Sequence, residues 1–396
     1  MQGTKVIFTV LFLLVSLLLS TGIAKENSSL ETDLYGYVKL DGAYEQNHSS
    51  HGNFIMWVNP QLNSADDAQF NMTANETRFG IKITEKGYEK FVVSGKVEFD
   101  LYAGVTGATV AQNKAMLQLR HAYFTVESGN FKLLAGQSWD IISPLNPSTL
   151  NYPVLWGCGN IGYRRPQISF FYTPAGSGNT KVTLGTGFFR TIGNDLTPTL
   201  TLAVADADKT DGDDDGTDAA VPTVQGIVDI NHKLDNQYKL RMGVSGLWGK
   251  MNAEDKLGVR EEYESWGVVG HLAFESGASF GLLGEYYSGS NLGSYFGGIS
   301  NSSIVDGLES SGGWASLWFK AAPKVKFSTG YGFDDPDDSE LNDNQRSKNQ
   351  CLFGNVRYTI VPQVTLGLEV SQWKTTYKNV DTVDDLRVQS SFIFSF

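Results

Sequence analysis

Charged and amide side chains recur at every second position in several stretches of this chain. Lys96, Glu98 and Asp100 alternate with Val97, Phe99 and Leu101, and Lys239 and Arg241 alternate with Leu240 and Met242. Arg120 and Arg165 belong to two further stretches, each with a glutamine two positions away, Gln118 and Gln167. Residues spaced by two share one face of an extended strand. A guanidinium fork grips a carboxylate through two parallel hydrogen bonds and keeps its charge at working pH, and a nearby amide adds neutral donors. The chemistry on offer is reversible recognition of small anions. Motifs for covalent chemistry are missing: there is no Gly-x-Ser-x-Gly, no His-Glu-x-x-His and no phosphate loop. His48 and His51 stand as HSSH without acidic or thiol neighbours, a poor metal site. His121 falls in an apolar row and His271 in a charged row. The acidic run DKTDGDDDGTD sets Asp211, Asp213 and Asp215 like the start of a calcium loop, but its twelfth position is Pro222 in place of a bidentate glutamate. It reads as a solvated acidic loop with at most weak divalent-cation binding. No cofactor is expected. A formal charge of −12 and the lack of a basic stripe exclude nucleic acid as a partner.

The elements that must position these rows are strands. Each charged row is partnered by an apolar one, and charge in hydrocarbon is costly, so in a membrane the charged rows must face a wet lumen. A soluble sandwich would alternate too, with its apolar rows inward. Loop lengths separate the two. Sixteen strands are expected, starting near residues 34, 77, 91, 115, 131, 166, 181, 223, 238, 263, 279, 313, 324, 350, 363 and 385. Short turns alternate with long polar connections at 45–76, 104–114, 140–165, 193–222, 249–262, 288–312, 334–349 and 376–384. That is the turn-and-loop asymmetry of bacterial outer-membrane barrels. The stretch 199–204 (TLTLAV) is an alternative extra strand. The fixed repeat of a solenoid or propeller is absent.

The ends agree. Lys5 precedes an apolar run over residues 6–19, and Gly22 and Ala24 place small residues before a cleavage point. Residues 1–24 read as a signal peptide and 25–396 as one barrel, an uncleaved anchor being the rival reading. The chain stops on RVQSSFIFSF, with Phe392, Phe394 and Phe396 on one strand face. Mean hydropathy is only −0.20 while aromatics reach 12%, a combination that a barrel explains because alternate residues alone face lipid. The expected fold is therefore all-β: a transmembrane antiparallel barrel in the outer membrane, both termini periplasmic.

Carried round the barrel, the alternation turns twelve cations inward: Lys39, Arg78, Lys82, Lys96, Arg120, Arg165, Lys239, Arg241, Lys320, Lys326, Arg357 and Arg387. Seven anions face them: Asp41, Glu98, Asp100, Asp229, Glu275, Glu285 and Glu369. A positive wall focuses anions into a pore, whereas complete pairing would only keep the lumen wet. The connection 139–164 (WDIISPLNPSTLNYPVLWGCGNIGYR) has three prolines, several aromatics and few charges. It reads as a stiff loop folded inward as a constriction, with Trp139, Asp140, Pro144, Asn146, Pro147 and Asn151 in it; the alternative is an outer loop packed on neighbours. Cys158 and Cys351 lie in the exported part, where a disulfide is permitted but its geometry is not given by sequence.

The runs LRHAYF, LLAGQSWD, SPLNPSTLN and RRPQISFFYTP, with LYGYVKLDGAY and TRFGIKI before them, resemble the DcaP-like porins over roughly the first half of the chain. The resemblance implies a trimeric sixteen-stranded channel for small anionic solutes, dicarboxylate-like compounds among them. By position, Arg120 and Arg165 would line the eyelet beside the loop, Gln118 and Gln167 would add neutral hydrogen bonds, and the lipid bilayer and lipopolysaccharide would surround the barrel. Some relatives carry a periplasmic helical extension, which is not expected here. The competing classes are an outer-membrane enzyme and a structural or adhesive barrel.

Overall fold

The computed structural model describes residues 29–60, 67–88, 90–103, 115–176, 178–192, 215–254, 260–301 and 307–396. The segment read as a signal peptide lies outside them, as do the stretch 199–204, Asp211, Asp213 and the side chain of Asp215. The chain runs through β1 (Ser29–Glu45), β2 (Gln69–Thr73), β3 (Arg78–Tyr88), β4 (Phe91–Ala103), β5 (Met116–Ser128) and β6 (Phe131–Trp139). It continues through β7 (Arg164–Tyr172), β8 (Thr180–Phe189), β9 (Thr223–Lys233), β10 (Tyr238–Glu254) and β11 (Arg260–Ser276). β12 (Phe280–Ser290), β13 (Glu309–Ala322), β14 (Val325–Pro336), β15 (Arg346–Val361), β16 (Val364–Tyr377) and β17 (Val380–Ser395) complete it.

β17 returns to β1, with Tyr37 facing Ser395 and Glu45 facing Arg387, so the antiparallel sheet closes. Closure leaves no edge, the condition for a sheet in lipid. β2 and β3 both pair with β1, at residues 41–45 and 29–37 respectively. They are two halves of one stave broken by the turn at 74–77, which gives sixteen staves from seventeen strands. The last residue is part of the seam: Gly36 and Phe396 exchange backbone hydrogen bonds of 3.1 Å. Val38 and Leu40 face lipid beside Phe394 and Phe392, their ladder partners.

Three expectations are corrected. At 249–262 and 376–384 the strands continue beyond the membrane: β10 reaches Glu254, β11 starts at Arg260, and only Lys378 and Asn379 separate β16 from β17. A ladder in water needs no apolar face, so its polar sequence looks like a loop. Next, His121 does not face lipid. Glu98 pairs with His121 but Phe99 with Leu119, a bulge that skips Arg120 and turns Arg120 and His121 both inward. Finally, the lumen is not polar throughout. Trp314, Cys351, Phe353 and Trp373 point inward and are buried with Ile55, Val58, Leu145, Leu155 and Cys158 from loops. Segments 46–60, 140–163 and 291–301 all fold into the mouth, and their apolar sides remove these wall residues from water.

Candidate functional site

The segment 140–163 is clasped at its base. Asp140 accepts from Arg165 Nε at 3.0 Å, from the Tyr163 amide at 2.9 Å and from Gln225 Nε2 at 2.6 Å. Gln167 donates to the Trp139 carbonyl at 2.8 Å. The loop then crosses the lumen, held by one wall after another. Ser245 on β10 donates to the Ile142 carbonyl. On β12, Glu285 accepts from the Leu145 amide at 2.9 Å and from the Ser143 hydroxyl. On β15, Asn355 donates to the Ser148 carbonyl and Arg357 to the Thr149 carbonyl, both at 2.8 Å. On β16, Glu369 accepts from Leu150 N at 2.6 Å and Thr149 Oγ1 at 2.8 Å. Lys39 on β1 and Gln389 on β17 donate to the Leu150 carbonyl at 2.9 and 3.1 Å. Prolines 144, 147 and 153 shorten the list of backbone donors needing partners, which suits a loop buried without secondary structure. Pro147 and Asn151 are buried, Pro144 is partly so, and Asn146 is exposed to the lumen.

The loop returns along β4 and β5. The Tyr152 hydroxyl lies 3.1 Å from both Asp100 and Gln118 and can donate to either, and Gln118 donates to Tyr163 at 2.6 Å. Arg120 ties this strip to the wall, with Nε at 2.8 Å from Glu98 and Nη1 at 2.6 Å from Asp100. Glu98 also accepts from Tyr35 at 2.8 Å and lies 3.1 Å from Lys96 and 3.7 Å from Arg78. Lys82 faces Lys96 across the ladder, exposed to the lumen.

These contacts sort the residues expected from sequence. Arg120, Gln118, Lys96, Arg78, Glu98 and Asp100 form one connected patch with Lys82 beside it. Arg165 and Gln167 do not join it. Arg165 is 0% exposed, spends its charge on Asp140 and stacks 3.9 Å from the Tyr295 ring centre, so it holds the loop base instead of lining a passage. Arg120, 3% exposed, is likewise engaged by two carboxylates. Arg241 is paired with Asp229 at 2.8 Å, an acid it shares with His271. Glu285 and Glu369, foreseen only as lumen charges, are loop anchors.

Sequence reasoning missed Arg164. Its guanidinium is 2% exposed and lies 4.7 Å from the Trp139 ring and 4.4 Å from Tyr163. Nη2 donates to Tyr163 at 2.8 Å, while Nε and Nη1 have no partner among the described residues. The aromatic run around it was the available signal, since a cation over ring faces is a common way to seat a guanidinium without a carboxylate. The inward segments 46–60 and 291–301 were missed as well. The second, NLGSYFGGISN, has no charge, and few charges were part of the signal that marked 140–163. In the first, His51 stacks on Phe54 at 4.7 Å and accepts or donates at Ser50 Oγ, 2.7 Å away. Burial and the nearby Arg346 guanidinium push its pKa down to about 4.

At the short-turn end the lumen opens into a cavity of about 1190 Å³ with polar and apolar lining in similar measure. Leu145 and Ser148 of the inward loop contribute to its lining. Lys132 there lies 3.6 Å from Glu127. Lys181, Lys233 and Lys239 also line it, exposed and with no carboxylate partner among the described residues.

The architecture has solved counterparts. The outer membrane channel DcaP of Acinetobacter baumannii superposes with a TM-score of 0.71 at 20% identity, covering 94% of this chain and 99% of that one. The fold is that of the DcaP-like porins. An anion-selective porin from Comamonas acidovorans matches at a TM-score of 0.57 and 10% identity, over 93% and 100% of the two chains. OmpT of Vibrio cholerae, folded in vitro and in a trimer form, matches at 0.54 and 11%, over 93% and 100%. No protein-family model and no curated protein matches the chain. The closed barrel is thus an architecture shared with solved bacterial outer-membrane channels.

Proposed function

We propose that this chain is an outer-membrane porin through which small anionic solutes, carboxylates among them, diffuse past the loop 140–163. The observation that carries the anion preference is the cavity at the short-turn end, where Lys181, Lys233 and Lys239 have no carboxylate within ion-pair distance among the described residues and outnumber Glu275, the ladder partner of Lys239, while most lumen acids are spent on Arg120, Arg241 or the loop backbone. Such a wall raises the local concentration of anions and steers their entry. Above it, Lys82, Lys96 and Arg78 give a second set of cations around the single carboxylate of Glu98. Arg120, Gln118 and Tyr152 position the loop against that wall. Arg164 keeps Nε and Nη1 unspent, but both are buried beside Trp139 and Tyr163, so it seats the loop and does not face the solute. Binding at the lumen cations has to stay weak for the solute to leave.

In this reading residues 1–24 direct export and are removed, residues 25–396 form the barrel, the short turns and both termini face the periplasm, and the long loops face lipopolysaccharide. A homotrimer fits the assembly of such channels, as in the trimer form of Vibrio cholerae OmpT. The chain acts by passage and not by catalysis. Reversal potential under a salt gradient across a planar bilayer tests the reading. The wild type is expected to prefer chloride, and Lys181→Glu with Lys239→Glu is expected to move the reversal potential toward cation preference. Cation preference in the wild type, or no shift in the double variant, would overturn it.

A further inference from the structure

Cys158 and Cys351 are distant in sequence and free in this structure, yet they are packed into the same apolar cluster with Leu155, Trp314 and Trp373. Three independent contacts press the loop backbone around Cys158 flat on the wall that carries Cys351. Asn349, two residues before Cys351 and on the same face of β15, donates to the Gly157 carbonyl at 2.7 Å. Gly332 is the ladder partner of Cys351, and a Cβ on Gly332 would collide with the Cys158 carbonyl oxygen. A Cβ on Gly159, at φ 97°, would collide with the carbonyl of Gly313 on β13. Only glycines at these positions let the turn approach so closely. The turn holds its own shape through hydrogen bonds from Cys158 N and Asn160 N to the Leu155 carbonyl at 2.9 and 3.2 Å. Cys158 is thus one side-chain layer from Cys351, and a disulfide needs only ~4.4–6.8 Å between Cα atoms.

We propose that Cys158 and Cys351 form an intramolecular disulfide that staples the constriction loop to β15. Two S–H bonds break and one S–S bond forms. The two protons and two electrons pass, by thiol–disulfide exchange, to a disulfide-bearing oxidant of the exported compartment, which leaves as a dithiol. The thiols are 0% and 1% exposed, and burial pushes the Cys158 thiol well up, which starves the seated loop of reactive thiolate. Oxidation therefore precedes seating of the loop, and the finished bond is shielded from reductant. The staple depends on export but not on anion passage, so its failure and that of the proposed function are separable.

The test uses the full-length wild type purified from outer membranes without reductant. The protein is unfolded in denaturant, treated with a maleimide and weighed intact. No label before reduction and two labels after it are the expected result, and Cys158→Ser is expected to expose one label without reduction. One or two labels on the unreduced wild type, no label even after reduction, or chains joined to one another on a non-reducing gel would each overturn the staple.

Discussion

Removing Glu369 should loosen the seating of the segment 140–163. Its carboxylate accepts from Thr149 Oγ1 at 2.8 Å, Leu150 N at 2.6 Å, Asn151 N at 3.3 Å and Asn355 Nδ2 at 2.9 Å. Hydrogen bonds to a charged group contribute about 1.5–3 kcal/mol each when measured singly. Four do not add, because the Leu150 carbonyl stays held by Lys39 and Gln389, and the released donors find water in the lumen. A net shift of roughly 2–4 kcal/mol between seated and unseated loop remains, which raises the unseated population ~30- to 1000-fold. Single-channel recording of Glu369→Ala reads this directly. The wild type should hold one dominant level, and the variant should add frequent upward steps and excess noise. Glu369→Gln keeps an acceptor oxygen but loses the charge, and should fall between the two. Traces of Glu369→Ala that superimpose on the wild type, from a barrel whose gel mobility shows it folded, would refute the anchoring role.

Arg120→Met takes the cation from Asp100, which keeps only Tyr152 and the Tyr102 amide, and leaves Glu98 with Tyr35, Lys96 and Arg78; a broken buried pair costs about 3 kcal/mol at the low end, so the urea midpoint for loss of the folded gel band should fall, and an unchanged midpoint would mean the network adds no stability. His51 gives a pH dependence of known sign. Its folded pKa is depressed to about 4, so the stability it lends to the segment 46–60 is present above its ordinary value near 6.5 and is lost as pH falls toward 4. Channel noise should therefore rise between pH 6.5 and 4 in the wild type and stay flat in His51→Phe, and equal pH profiles would rule His51 out as the cause.

The sixteen-stave barrel was legible because two physical demands write themselves into sequence. Lipid forces an apolar residue at every second position, as in Met242 and Val244, and antiparallel staves put successive connections at opposite ends of the barrel, short turns at one and long loops at the other. The inward loop was legible too, since a long segment with three prolines and few charges is ill-suited to open water. What the alternation could not reveal is where it breaks. One extra residue at Arg120 turns His121 from lipid to lumen, a change of face that depends on the partner strand and not on the local pattern. Nor could a list of inward charges tell which remain free. Arg120 and Arg165 look like equal anion ligands in sequence, yet Asp100 and Asp140 claim them, while Arg164 is left with unspent donors among aromatic rings. Pairing is decided by distances between residues remote in the chain, and only the closed barrel with its loops seated brings them within reach.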